Sequence, residues 1–148
     1  MGNGDGKLIG IARATKVRDD MEVLERTDVT VEAGVEGDRR GAVKGAQVTV
    51  LSIEDWKAAC AEVGADLAWT TRRANLLVEG VSLPQRVGAE FAIGDVVLVV
   101  REETDPCSQM EKAHAGLKAA MTPNWRGGIR CDVVRGGTLE AGALARCL

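Results

Sequence analysis

Residues 90–111 read EFAIGDVVLVVREETDPCSQME, and they contain a predicted hairpin followed by a cysteine at a predicted helix start. The first four residues of this stretch and the aliphatic residues 96–100 each have the pattern of a β-strand. Gly94 and Asp95 between them are typical of a tight hairpin turn. A charged, proline-containing segment then stops the second strand. The stretch therefore predicts two paired strands that lead directly to Cys107.

Cys107 stands immediately before the predicted helix. Ser108 and Glu111 have the spacing of a capping box, so we expect Ser108 to be the N-cap of a helix that continues to about Met121. Unpaired N–H groups and the helix dipole at such a position favour a thiolate, whereas nearby carboxylates such as that of Glu103 oppose it. Two interpretations follow. Cys107 is either a reactive thiol or a small side chain packed in a turn.

The other three cysteines have no comparable context. Cys60, Cys131 and Cys147 are widely spaced, the sequence has no Cys-x-x-Cys pair, and His114 is its one histidine. A zinc site or a dithiol redox motif is therefore not expected. Cys60 shares a helical face with Trp56, and Cys131 lies in a strand-like run, so both are expected in the core. Disulfides are not expected in a cytosolic setting.

Length and composition predict one domain covering residues 1–148, in which residues 1–6 form a flexible tail. Hydrophobic residues make up 45% and charged residues 28% of the sequence, as in ordinary globular proteins. The sequence has no apolar run of about 20 residues and no signal-peptide pattern, so we expect a cytoplasmic location and no membrane partner. The formal net charge of −3 argues against a nucleic-acid partner.

The remaining patterns predict a mainly β fold. Ser52 and Asp55 resemble a capping box, and Trp56 lies on one apolar face of a helix that ends at Gly64. Turns are expected at Gly136, Gly137 and Gly142, and further strand patterns lie at residues 7–14, 47–51, 74–78, 129–134 and 144–147. Many short strands, 18 glycines and two clear helices together predict a β-barrel with two or three short helices packed on the outside.

Three polar clusters are candidates to surround Cys107. Arginines outnumber lysines by about two to one, and arginine suits bidentate recognition of phosphate, carboxylate or a polar heterocycle. Each cluster also has an alternative interpretation: a solvated loop, an amide satisfied by the backbone, or a turn that needs positive φ. The candidate binding residues are Asp38, Arg39 and Arg40 in a glycine-rich loop, Arg72, Arg73 and Asn75 before a strand, and Arg126, Gly127 and Gly128 before another.

Taken in order, these motifs resemble the MOSC family, the module found at the C-terminus of molybdenum cofactor sulfurases and as small stand-alone bacterial proteins. The resemblance covers most of the chain from about residue 7. The matching elements are Gly37-Asp38, Arg73-Ala74-Asn75-Leu76 with Gly80, residues 88–94, Pro106-Cys107, Arg126-Gly127-Gly128-Ile129, and Gly136-Gly137-Thr138-Leu139 with Gly142.

The resemblance implies a β-barrel with a site for the molybdenum cofactor (molybdopterin) or for its sulfur. It implies that Cys107 is the catalytic thiol, which either ligates molybdenum or carries a persulfide. It also implies that Arg73, Asn75 and Arg126 contact cofactor or substrate. Larger relatives add a pyridoxal-phosphate desulfurase domain, for which this chain has no room.

One departure from the family pattern concerns the residues after Gly37-Asp38. Stand-alone relatives often carry a histidine there, whereas this chain has Arg39-Arg40-Gly41. His114 falls within the predicted helix and is no obvious replacement. A role that depends on an imidazole at this point is therefore in doubt.

Three functions remain open from the sequence. In the first, Cys107 ligates molybdenum and the cofactor reduces a small N-hydroxylated substrate, with electrons from a partner protein. In the second, Cys107 accepts sulfane sulfur from a cysteine desulfurase and passes it to an acceptor. In the third, the protein binds an anionic ligand without turnover, which requires the arginines but not the cysteine.

Overall fold

The computed structural model describes residues 4–148. The first three residues of the expected tail lie outside the described residues, and Gly6 already belongs to the first strand. The strands of the described part are β1 (Gly6–Arg13), β2 (Glu22–Leu24), β3 (Arg26–Thr30), β4 (Gly34–Val35), β5 (Val48–Ser52), β6 (Leu76–Glu79), β7 (Glu90–Ile93), β8 (Val96–Glu103), β9 (Ile129–Arg135), β10 (Gly137–Glu140) and β11 (Leu144–Cys147).

The helices are short. The α-helices of the described part are α1 (Ile53–Glu62), α2 (Ser108–Ala113) and α3 (Leu117–Met121), and two 3-10 helices lie at Trp69–Arg72 and Pro123–Trp125. In residues 4–148, no helix has the length and apolar character that crossing a membrane requires.

Seven strands close into a barrel, which confirms the predicted fold class. Their order is β11-β7-β8-β9-β5-β6-β1, and β1 pairs with β11 through Gly6 opposite Ala145 and Lys7 opposite Leu144. All pairs around the barrel are antiparallel except β5 with β6, which are parallel and joined by a crossover that contains α1. The strand β2 adds to β1, and β10, β3 and β4 form a separate three-stranded sheet.

Alternation along the strands divides the core into two clusters. Val50 of β5 packs with the barrel interior, whereas its neighbour Leu51 packs with the helices, because successive side chains point to opposite faces. Trp56 of α1 and Met121 of α3 belong to the outer cluster. The three helices therefore cover the outside of the barrel on one side, as predicted.

Several predicted local features are confirmed. Gly94 and Asp95 form the turn between β7 and β8, which pair in register from Glu90 opposite Val99. Ser52 is the N-cap of α1, where its hydroxyl oxygen accepts a hydrogen bond from the backbone N–H of Asp55 at 3.3 Å. The predicted core positions of Cys60 and Cys131 are also confirmed, since both are buried.

The prediction of one helix from Ser108 to Met121 is wrong. Cys107 is the N-cap residue, without a side-chain capping bond, and α2 ends after six residues. The carboxylate of Glu111 accepts from the backbone N–H of Gly116 at 2.9 Å instead of reaching back to the cap. Gly116 has φ +85°, so the chain breaks there before α3 begins.

The sequence patterns also missed four strands. β2 and β4 have only three and two residues, β3 is mostly polar, and the turn expected at Gly137 is the first residue of β10. In β3 only alternate residues are buried, with Val29 facing the core between exposed polar side chains. Short strands of this kind carry too few apolar residues to produce a recognisable pattern.

Candidate functional site

A cavity of about 470 Å³ lies beside the barrel where several loops and strand ends meet. Its wall comes from the loop after β1, the loop before β5, the segment before β6, the end of β8 with α2, and the start of β9. Eight of the ten residues proposed from the sequence line it: Asp38, Arg39, Arg40, Arg72, Arg73, Asn75, Cys107 and Gly127.

The cavity wall is strongly basic. Six arginines line it: Arg18, Arg39, Arg40, Arg72, Arg73 and Arg130. Asp38 is the one carboxylate in the lining, and its two oxygens accept from the backbone N–H groups of Ala14 at 3.0 Å and Arg40 at 3.1 Å. A protein with a net charge of −3 thus concentrates positive charge at one concave site.

Arg40 lies within electrostatic reach of two other lining arginines, Arg39 and Arg130. Burial and then the charges of Arg130 and Arg39 lower the pKa of Arg40, while the charges of Asp38 and Glu102 act in the opposite direction. Glu102 accepts a hydrogen bond from Arg130 at 3.1 Å. An anion bound beside Arg40 would further offset the repulsion from Arg39 and Arg130.

Arg72 ties together the segments on either side of Cys107. It is only 8% exposed, and its guanidinium donates to the carbonyls of Gly127 at 3.1 Å, Thr104 at 2.9 Å and Asp105 at 3.4 Å. Burial lowers the pKa of Arg72 to about 10, and the charge of a Cys107 thiolate acts in the opposite direction. Arg72 therefore fixes the backbone that leads to Cys107 and lies within electrostatic reach of its sulfur.

Cys107 is the exposed cysteine at this site. It forms the turn between β8 and α2, and its carbonyl accepts from the backbone N–H of Met110 at 2.9 Å. By contrast, burial raises the pKa of Cys131 to about 12, so that thiol stays protonated at neutral pH. The thiol of Cys147 donates to the carbonyl of Ser82 at 3.5 Å, on a different part of the barrel.

Asn75 holds the floor of the cavity in place. Its side-chain oxygen accepts from the backbone N–H of Thr49 at 3.0 Å and from the Thr49 hydroxyl at 3.3 Å, and its side-chain N–H donates to the carbonyl of Ala12 at 3.1 Å. The amide thus joins β1, β5 and the start of β6 at one point. These bonds satisfy the buried amide largely within the protein, while one of its N–H groups has no protein acceptor in the described residues.

Arg126 and Gly128, both proposed from the sequence, do not line the cavity. Arg126 donates to the carbonyl of Ala120 at 2.9 Å and forms an ion pair with Glu62. Gly128 has φ +97°, and a Cβ atom there would lie 2.2 Å from the carbonyl oxygen of Val50. A Cβ at Gly127 would lie 2.1 Å from the carbonyl oxygen of Thr104, so the glycine pair lets strands and loops approach closely.

Sequence reasoning did not select several lining residues. Arg130 follows Arg126, Gly127 and Gly128 in the sequence but was not proposed as a binding residue. Arg18 and Met21 lie in the loop between β1 and β2, which contributes to the cavity wall. His114 does not line the cavity, and its Nδ1 atom lies 3.0 Å from the carbonyl oxygen of Ala115. Thr104 is a further lining residue, and nothing in the sequence distinguished it from its polar neighbours.

Comparison with known proteins agrees with this fold. A family model of the MOSC domain matches residues 36–144, and the chain belongs to that family. The structure is similar to that of the YuaD protein from Bacillus subtilis, with a TM-score of 0.76, 17% identity, and coverage of 97% of this chain and 95% of that chain. It is similar also to YiiM from Escherichia coli, with a TM-score of 0.69, 16% identity, and coverage of 96% of this chain and 69% of that chain. No curated protein matches the sequence significantly.

Proposed function

We propose that the protein binds the molybdenum cofactor, or sulfur destined for it, in the basic cavity and that Cys107 is its functional thiol. The observation that carries the proposal is the meeting of six arginines and an exposed cysteine in one cavity with a single carboxylate. A volume of about 470 Å³ is ordinary for a small-molecule or cofactor site.

The residues of the cavity fit an anionic, phosphate-bearing cofactor. Asp38 is the one carboxylate in the lining, so its single negative charge offsets only part of the charge of the six guanidinium groups. Arg39, Arg40 and Arg130 would hold the phosphate, because guanidinium groups bind phosphate oxygens in pairs.

Cys107 would ligate the metal of such a cofactor through its thiolate, a soft donor. When bound, the cofactor would supply the removal of an oxygen atom from an N-hydroxylated substrate, in which R–NHOH, two protons and two electrons give R–NH₂ and water. The electrons would come from a partner protein. Arg72 would keep Cys107 in place through the carbonyls of Thr104 and Asp105.

Expression in a host that makes the cofactor, followed by metal analysis and pterin fluorescence of the purified protein, tests this proposal. We expect molybdenum and pterin in comparable amounts in the wild type, loss of molybdenum in Cys107→Ser, and loss of both in the double variant Arg40→Gln/Arg130→Gln. Arg135→Gln is the matched control, because Arg135 is exposed and donates to the carbonyl of Asp95 away from the cavity. Wild-type protein without molybdenum or pterin would contradict the proposal.

A sulfur-carrier function is the second candidate, and the exposure of Cys107 favours it. In that reaction the Cys107 thiolate attacks the outer sulfur of a desulfurase persulfide, so that Cys107 gains the persulfide and the desulfurase thiolate leaves. Intact mass after incubation with a cysteine desulfurase and cysteine should increase by one sulfur in the wild type but not in Cys107→Ser. Equal masses for the two proteins would end this candidate.

A cavity that binds an anion equally well without the thiol would support a non-catalytic binding module instead. The distinguishing result is a Cys107→Ser protein that keeps both its ligand affinity and its effect in cells.

A further inference from the structure

Residues 36–41, called here the arginine loop, bring Arg39 and Arg40 to the cavity wall. None of these six residues belongs to a helix or a strand. A loop without regular structure presents its side chains accurately only if other contacts fix its backbone. In this protein such contacts converge on the end of β1, at Arg13 and Ala14.

Asp38 joins the arginine loop to Ala14. One carboxylate oxygen of Asp38 accepts from the backbone N–H of Ala14 at 3.0 Å, and the other accepts from the backbone N–H of Arg40 at 3.1 Å. The backbone N–H of Arg39 donates in turn to the carbonyl of Ala14 at 2.8 Å. Both backbone groups of Ala14, a residue only 3% exposed, are therefore paired with the arginine loop. The bonds to the carboxylate are of the stronger, charge-assisted kind.

Arg13, the last residue of β1, holds the start of the same loop. Its Nη1 donates to the carbonyl of Glu36 at 2.6 Å, and its Nε donates to the carboxylate of Glu22 on the neighbouring strand β2 at 3.0 Å. Gly37 leaves room for this guanidinium, since a Cβ atom there would lie 2.8 Å from Nη1 of Arg13. The φ of +80° at Gly37 also favours glycine. The glycine of the Gly37-Asp38 motif thus makes room for Arg13, while the aspartate binds the end of the strand.

We infer that Arg13 and Asp38 are positioning residues, which anchor the arginine loop to the end of β1 and so fix the two arginines of that loop in the cavity wall. The inference rests on the proposed function in that the ligand is taken to meet these two arginines. Arg13 does not line the cavity, so it acts on a ligand there only through the segments that it holds. Asp38 lines the cavity, and its role is to bind backbone N–H groups rather than the ligand.

Native-state hydrogen exchange of the cofactor-free protein, followed by NMR, tests this anchoring. The amides of Ala14, Arg39 and Arg40 should be protected in the wild type, because each donates one of the bonds that join the loop to β1 or close it. Arg13→Met removes the guanidinium donors and leaves these three amides in place. We expect their protection, relative to an unstructured chain of the same sequence, to fall about 10-fold or more.

The amide of Gly116 is the internal reference. It donates to the carboxylate of Glu111 at 2.9 Å in the turn between α2 and α3, so it reports a separate local opening. Its protection should stay at the wild-type value in Arg13→Met, whereas a general loosening of the protein would lower it as well. Glu111→Ala is the reciprocal control. It should expose the Gly116 amide and leave the amides of the arginine loop protected.

Two variants of Asp38 complete the exchange experiment. Asp38→Ala removes both acceptor oxygens and should lower the protection of the three amides by at least as much as Arg13→Met. Asp38→Asn keeps one acceptor oxygen and should fall between Asp38→Ala and the wild type. Wild-type protection of the Arg39 and Arg40 amides in Arg13→Met and Asp38→Ala would overturn the inference. Arg13→Met alone supplies the decision if Asp38→Ala does not fold.

Pterin content then connects the anchoring to the ligand. In protein from the cofactor-producing host, Arg13→Met should lose most of its pterin, because the binding-competent wall is formed for a smaller fraction of the time. Arg135→Met is the matched control and should keep its pterin, since Arg135 is exposed and donates to the carbonyl of Asp95. Faster exchange with an unchanged pterin content would refute the positioning role. A wild type that holds no pterin would instead contradict the proposed function, and the exchange rates would still decide whether Arg13 and Asp38 anchor the loop.

Discussion

Replacing Arg72 by methionine should destabilise the protein and loosen the turn that carries Cys107. Methionine keeps an unbranched apolar stem of similar width but has no hydrogen-bond donor. The change therefore removes the bonds to the carbonyls of Gly127 and Thr104 at 3.1 and 2.9 Å, together with the longer bond to Asp105.

The expected loss is about 2–4 kcal/mol. Two buried carbonyls that lose their donors account for about 1–3 kcal/mol each. Part of this loss is offset, because the guanidinium of Arg72 is itself buried unfavourably, as the lowering of its pKa to about 10 indicates. For a chain of this length, a loss of that size lowers the unfolding temperature by about 4–16 °C.

Urea unfolding followed by circular dichroism measures the loss, with Arg135→Met as the matched control. Arg135 also donates to a backbone carbonyl, that of Asp95 at 2.9 Å, but it is exposed, so water can replace it. We expect the control to stay within about 1 kcal/mol of the wild type. In Arg72→Met, alkylation of Cys107 by iodoacetamide should also change in rate. If Arg72→Met were as stable as Arg135→Met, the assignment of Arg72 as the support of this turn would be refuted.

Three further predictions concern single groups. Asn75→Asp should lose about 2–4 kcal/mol, because a carboxylate oxygen would face the carbonyl of Ala12 in place of the present N–H donor, and urea unfolding at pH 7 measures this. A chromogenic disulfide added to the native protein at pH 8 should modify Cys107 quickly. It should modify Cys131 only on unfolding, since burial raises the pKa of Cys131 to about 12. Burial also raises the pKa of Asp55, so the folded state keeps the proton of this carboxyl group to higher pH than the unfolded state does. The contribution of Asp55 to stability should therefore fall as the pH rises above 3.8. Urea unfolding from pH 3 to 6 measures this fall, which Asp55→Asn should flatten.

Each of the three has a clear contrary result. An Asn75→Asp protein as stable as the wild type would mean that water or a shift of the strand replaces the lost bond. Fast native modification of Cys131 would mean that the barrel opens readily. If stability fell with rising pH equally in the wild type and in Asp55→Asn, another carboxyl group would be responsible for the fall.

The strands that the sequence predicted are those with long apolar runs. Residues 96–100 and 129–134 belong to β8 and β9 of the barrel, where alternate side chains pack in the barrel interior. The helix after Cys107 was misjudged for a local reason. A capping-box spacing at Ser108 does not reveal that the Glu111 side chain bonds forward to Gly116.

Eight residues that the sequence proposed line the cavity, but their contacts were not predicted. The adjacent Arg72 and Arg73 look equivalent in the sequence, yet one binds backbone carbonyls and the other has an unpaired nitrogen in the cavity wall. Arg126 looked like a cavity residue and instead pairs with Glu62. Such differences depend on contacts between residues more than 30 positions apart, which no local pattern contains.

The closure of the barrel by its first and last strands has a consequence for folding. The seam places Lys7 opposite Leu144, so the chain must bring its two ends together before the barrel exists. Contacts this distant in sequence slow folding, because loop entropy is lost before they form. The cavity draws its wall from segments between Ala14 and Arg130, so it too depends on contacts between residues far apart in sequence. A ligand that binds there and not to the unfolded chain would stabilise the folded barrel by a free energy that grows with the logarithm of the ligand concentration.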